Sequence, residues 1–186
     1  MDLKKSKTNQ LTLVRQVLGS SCKEEQERKK REREKEMGTR SNIAILQNDG
    51  TVRSIYCHWD GYLRYMGTVL LENYNTPSAV EELINLGNLS RVAPLIGCAH
   101  EFENYSAPFD QYCKAYGRDR GESDSQAILF KNYREYVDYL VGHDYLEFAY
   151  IYRAHENQWY YRELGAGTSS RYKKLTKKRI KQASTG

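Results

Sequence analysis

The sequence predicts an α+β domain: one small antiparallel sheet, made of an N-terminal and a C-terminal hairpin, with about three helices packed on one face. Three observations carry this expectation. Strand-like residues flank Asn48-Asp49-Gly50, and again flank His155-Glu156-Asn157. Between these stretches apolar residues recur at helical spacing, behind Thr76-Pro77 and behind Asn132-Tyr133-Arg134-Glu135. The 186 residues contain no internal repeat and no apolar run long enough to span a bilayer, so one core is expected.

Each element has a local reason. Residues 41–47 alternate with Ile43 and Ile45 on one face, and Asp49-Gly50 supplies the positive φ that a tight hairpin needs. Residues 51–58 return with Val52, Ser54, Tyr56 and His58 on one side and Arg53, Ile55, Cys57 and Trp59 on the other. Asp60 is placed to cap a helix over 61–74, whose inner stripe is Tyr62, Met66, Val69, Leu70 and Tyr74. Thr76 caps a second helix with Pro77 at its first position, Val80, Leu83 and Ile84 inside, and Gly87 at its end. Residues 88–110 show no clear period and read as loop. A strand over 111–116 precedes an exposed charged loop, GRDRGESDS, and 127–130 adds a short strand. Asn132 and Glu135 form a capping-box signature for a helix to about Val141, with Tyr133, Tyr136, Val137 and Leu140 facing inward. Residues 145–153 and 158–164 make the second hairpin, and a last strand fits near 171–175.

Charge divides the chain into three. Residues 1–37 carry 11 Lys/Arg against 7 Asp/Glu, residues 38–165 carry 11 against 17, and residues 166–186 carry 7 against none. The basic balance therefore belongs to the ends, and the body is acidic. Residues 1–36 read as a charged extension: positions 23–36 contain only Lys, Arg, Glu and Gln, with nothing to bury. Purine-rich codons specify the same residues, so a translated ribosome-binding site ahead of Met37 is the companion reading, with Met37 as the native start. Residues 37–165 form the domain. Residues 166–186 form a basic strand or tail, read first as a solubilising end and second as a contact to phosphate without sequence preference. Four cysteines without paired spacing, and no secretory signal, fit a reducing cytoplasm and free thiols.

MGTRS at residues 37–41 and YCHWDGY at residues 56–62 resemble small proteins of bacterial viruses and prophages that open with these blocks around an alternating strand. The resemblance covers residues 37 to about 90 and implies no known catalytic activity. It implies an accessory protein in the host bacterial cytoplasm that binds and modulates a host factor, in takeover or anti-defence. A host protein is the expected partner, with nucleic acid at 171–186 as a further candidate and no membrane. No cofactor is expected.

The candidate binding residues are Tyr56, His58, Trp59, Asp60 and Tyr62 in the shared block, and Tyr150, Tyr152, Tyr160 and Tyr161 in the second hairpin. Tyrosine is the compositional oddity: 8 of the 16 lie between Tyr133 and Tyr161. Its ring is read first as cross-strand or core packing and second as a recognition platform for a partner protein or stacked bases. An enzyme reading rests on His58 as a base oriented by Asp60, the alternative being a ligand site at the same corner. Cys57 and His58 point to opposite faces of a strand, and no nucleophile elbow is present. A metal would draw on Cys57, His58, Cys98 and His100, but their spacings match no familiar zinc pair. No phosphate-binding glycine loop occurs.

Overall fold

A computed structural model of the protein describes residues 38–165 and 171–183. The expectations for residues 1–36, including the start at Met37, lie outside them. Strand β1 (Ser41–Leu46) turns through Asn48–Gly50 into β2 (Val52–Cys57). The turn forms for the expected reasons: Gly50 takes φ 87°, and the Asp49 carboxylate accepts from both Thr51 N–H (2.9 Å) and Thr51 O–H (2.7 Å). A π-helical turn, Leu63–Gly67, runs into α1 (Thr68–Asn73), followed by α2 (Pro77–Asn85) with Thr76 Oγ1 capping Ala79 N–H. Then come β3 (Leu89–Arg91), β4 (Lys114–Ala115), α3 (Tyr116–Arg120), β5 (Ile128–Phe130) and α4 (Tyr133–Val141). Strands β6 (Phe148–Arg153) and β7 (Gln158–Glu163) form the second hairpin, and β8 (Lys173–Lys174) and α5 (Lys177–Gln182) follow. The capping box at α4 is present: Asn132 Oδ1 accepts from Glu135 N–H, and Glu135 reaches back to Lys131 N–H.

The domain is α+β, with a larger and differently joined sheet than expected. Among the described residues the sheet has eight strands, seven in the order β4-β3-β2-β1-β6-β7-β8 and β5 on the far end of β2. The sheet is mixed rather than antiparallel. Each hairpin is antiparallel within itself, but β1 and β6 join in parallel from Ser41↔Phe148 to Leu46↔Arg153, and β3 joins β2 in parallel. A parallel pair requires a crossover, and the whole stretch between the hairpins provides it.

The helices are also not confined to one face. Ile43, Ile45, Ile55, Cys57, Tyr150, Tyr152, Trp159 and Tyr161 pack with the π turn, α1 and α2. On the opposite face Ala44, Val52, Ala149 and Ile151 pack with Phe130 and with Tyr136 and Leu140 of α4. The central strands are covered on both sides, which explains why residues 148–153 read as a nearly continuous apolar run.

Further expectations are corrected. Asp60 caps no helix; Tyr62 precedes the π turn and makes no side-chain cap. That turn shifts the stripe, so Leu63 is buried and Tyr62 is 40% exposed. The charged GRDRGESDS stretch contains a helix, and the loop before it contains β3. The domain also continues past residue 165, because β8 pairs with β7 and Leu175 is in the core.

Candidate functional site

The corner after β2 brings residues 39–41 against residues 56–62. His58 N–H and Trp59 N–H continue the ladder of β2 onto Leu89 O (3.0 Å) and Ser90 O (2.9 Å). Gly61 N–H then donates to Thr39 O at 2.8 Å, bringing residues 39–41 against the corner. A Cβ on Gly61 would meet Thr39 O at 2.6 Å, so glycine serves a close approach. The positive φ of the turn falls instead on Asp60, at 59°. This conformation is uncommon for a residue with a side chain, although Asp tolerates it better than most.

The polar groups of the corner do not converge. The Tyr56 hydroxyl and His58 Nδ1 are 2.8 Å apart, so the imidazole partners a phenol rather than Asp60. Burial lowers the His58 pKa, and the positive charge of Arg40 adds to this, so His58 favours the neutral form. Burial pushes the Tyr56 phenol up to about 12. The Cys57 thiol is fully buried among carbonyls, donating to Trp59 O (3.6 Å) and Ser90 O (3.8 Å), and burial pushes its pKa up to about 12. Such a thiol is protonated at neutral pH and unsuited to attack. The Asp60 carboxyl is raised by burial, with Arg91 opposing, and among the described residues no hydrogen bond to it is found.

The tyrosines of the second hairpin are mostly core and leave little exposed ring surface. Tyr150 and Tyr152 are fully buried and Tyr161 nearly so, on the face that meets α1 and α2. Two of the three hydroxyls are satisfied inside: Tyr150 O–H donates to Gly61 O (2.8 Å) and Tyr152 O–H to Asn157 Oδ1 (3.2 Å). Trp159, a neighbour on that face, donates Nε1–H to Tyr74 O at 2.6 Å. Of the four hairpin candidates Tyr160 alone is half-buried, its hydroxyl on Glu156 and the Arg153 guanidinium 4.2 Å over its ring.

The four metal candidates are likewise dispersed. Cys98 is exposed, and His100 Nδ1 sits 2.9 Å from the Cys98 carbonyl. Among the described residues no group of three or more His, Cys, Asp or Glu is arranged to hold a metal ion.

Several prominent groups are ones that sequence reasoning passed over. Asp119, read as part of an exposed loop, has a fully buried side chain. Burial alone would raise its pKa, but the Arg118 guanidinium (2.7 and 2.8 Å) and Ala115 N–H (2.8 Å) outweigh this and hold it low. Arg118 also donates to Ile96 O and Cys113 O, tying the long loop to β4. Lys114 is fully buried, donating to Phe102 O (2.7 Å) and Asn104 O (2.8 Å), with the Tyr105 ring 3.3 Å from its nitrogen. Burial lowers its pKa, and Arg91 adds to the effect. Both groups act as clamps on residues 94–112.

Two surface features remain. The first is β5, which pairs only with β2 among the described residues and exposes Ile128 (40%) and Leu129 (67%). An open cleft of about 500 Å³ lies beside it, lined by Arg53, Asn85, Gly87, Arg118, Gln126 and Ala127 among others. The second is the basic segment of β8 and α5. Among the described residues no helix is long and apolar enough to cross a membrane. No protein-family model matches the chain, and no curated protein or solved structure matches it either.

Proposed function

We infer that the protein works by binding another protein, without catalysis, through the edge strand β5 and the cleft beside it. One observation supports this reading above the others: Leu129 is 67% exposed on a strand whose outer edge meets no other strand among the described residues. An apolar edge strand is a template for another chain's strand, and proteins that need no partner there cover or charge it. Leu129 stands opposite Arg53 in the sheet, and Arg53 lines the cleft with its guanidinium on Glu81 (2.7 Å). An extended segment pairing with β5 would lay alternate side chains into that cleft. The resemblance to small proteins of bacterial viruses favours a host factor as the partner.

Leu129→Asp tests this reading. The side chain is exposed, so the thermal midpoint should hold, while capture of the partner from bacterial lysate should fall about tenfold or more, as for an apolar hot spot. Equal capture by the variant would remove β5 from the interface. A second reading, a small-ligand site at the corner, rests on the strained Asp60 and on its carboxylate, to which no hydrogen bond is found among the described residues.

A further inference from the structure

We propose that β8 and α5 form a docked cationic surface that binds the phosphate backbone of double-stranded nucleic acid without reading its sequence. The charge is concentrated there. Residues 171–183 carry Arg171, Lys173, Lys174, Lys177, Lys178, Arg179 and Lys181 and no acidic residue, whereas residues 38–165 have six more acids than bases. Lys173, Lys174, Lys178 and Lys181 are all exposed, and among the described residues none of them has a carboxylate partner. Lys177 alone of the α5 lysines faces an acid, Glu72 at 3.7 Å.

This charge sits on folded structure. Lys173 and Lys174 pair with Tyr161 and Tyr160 of β7, Leu175 is 1% exposed, and Ile180 packs against the same core. Gly67 lets the segment approach: a Cβ there would meet Leu175 Cδ1 at 3.1 Å and Ile180 Cγ1 at 3.5 Å. Thr176 Oγ1 caps the helix by accepting from Arg179 N–H. Ile180 turns inward, and Lys177, Lys178 and Lys181 share an arc of about 100° whose centre lies about 110° round α5 from it, spaced over about 6 Å of its length. A tail that merely raised solubility would need neither apolar anchors nor a cap. Lysines on an edge strand also guard against aggregation, but the α5 lysines lie off the strand and have no such role.

The surface selects among anionic partners. A membrane-binding helix inserts an apolar face, and here both apolar side chains are used against the core. A single-strand binder stacks bases on exposed aromatics; the one aromatic in the segment, Tyr172, is half-buried with its hydroxyl 3.4 Å from that of Tyr136. Only phosphate contact is left, which suits a duplex.

The full chain is titrated with a short mixed-sequence DNA duplex by fluorescence anisotropy. Four phosphate contacts give a log–log salt slope of about −3.6, hence about a hundredfold loss between 50 and 200 mM salt. The variant with Lys173, Lys174, Lys178 and Lys181 all changed to Glu should lose binding at both salts, and the four-Ala variant should lose at least tenfold. The Glu variant keeps a charged edge strand, so unchanged solubility and melting alongside lost binding supports the proposal and separates it from edge protection. Should the Glu variant fold poorly, the Ala variant alone decides. Duplex affinity that survives either substitution overturns the proposal, as does tighter binding to phosphatidylserine vesicles than to duplex.

Discussion

The second hairpin and the corner after β2 use the same kinds of residue in opposite ways. In β6 and β7, Tyr150, Tyr152, Trp159 and Tyr161 form one face of rings, and the phenol or indole tips described above reach loop carbonyls or an amide. At the corner, Tyr56, His58, Trp59 and Asp60 are only partly buried, the backbone at Asp60 is strained, and its carboxylate has no hydrogen bond among the described residues. The hairpin shows aromatic residues serving stability, with the one left-handed backbone at its turn, Asn157 at φ 49°, falling on an asparagine, which tolerates it well. At the corner local rules are broken without visible compensation, which is where function is usually sought.

Trp159→Ala breaks the comparison most severely. Trp159 is 1% exposed, packs edge-on to Tyr152 with centroids 5.2 Å apart, and holds Tyr74 O. Its loss should cost about 3–5 kcal/mol, read by urea denaturation. The corresponding change at the corner, Trp59→Ala, should cost less because that ring is only half-buried. Equal losses would erase the distinction between the two regions.

Alkali should expose the same contrast collectively. Burial pushes the Tyr65 phenol up to about 12 and also raises Tyr74, Tyr136 and Tyr150. A buried phenol keeps its proton when the unfolded chain has lost it. Its stabilising contribution is therefore complete below the ordinary value of 10 and is lost as pH rises through the folded value. Cys57 and Cys113 have the same sign but begin from 9. Lys114 opposes them: its folded pKa lies below the ordinary 10.5, so stability gains across that interval. One lysine against many phenols and two thiols leaves a net loss above about pH 9–10. Ultraviolet titration at the tyrosinate band should show a late, cooperative step coincident with unfolding. Smooth titration of every phenol near 10 in a folded protein would contradict the burial.

How far the sequence could be read follows the same division between local and distant causes. Asp49-Gly50, Thr76-Pro77 and Asn132 with Glu135 act on neighbours within four residues, so the first hairpin, α2 and α4 were legible. The parallel joining of β1 to β6 links residues 107 apart, from Ser41 to Phe148, and no local pattern encodes it. The burial of Lys114 and Asp119 was equally hidden, because their partners include carbonyls of Phe102 and Asn104 and the N–H of Ala115, which carry no sequence signal. Tyr150 and Tyr152 lie two apart and so share a face of β6, but the β6–β7 register that sets Tyr161 beside Tyr150, and the helices that cover that face, have no local signal. The blocks at 37–41 and 56–62 were visible as motifs, and their meeting through Thr39 and Gly61 was not.

The smallest stability effect, and the sharpest test of the corner, belongs to Asp60. Glycine removes the cost of the left-handed backbone, about 1 kcal/mol, while freeing the unfolded chain by a similar amount. Asp60→Gly should therefore leave stability within about 1 kcal/mol of the parent. Asp60→Asn keeps the shape and removes the charge. Because burial raises the Asp60 pKa, the folded chain binds the proton more tightly than the unfolded one, and stability falls as pH rises from 3.8 through the folded value. The Asn variant should thus be slightly more stable than the parent at neutral pH and should lose that advantage in acid. If both variants keep or gain stability and also retain the captured partner, Asp60 is a structural oddity and β5 stands as the contact. If stability holds while capture collapses, the carboxylate touches the partner or a ligand, and the strain at φ 59° is retained for that contact.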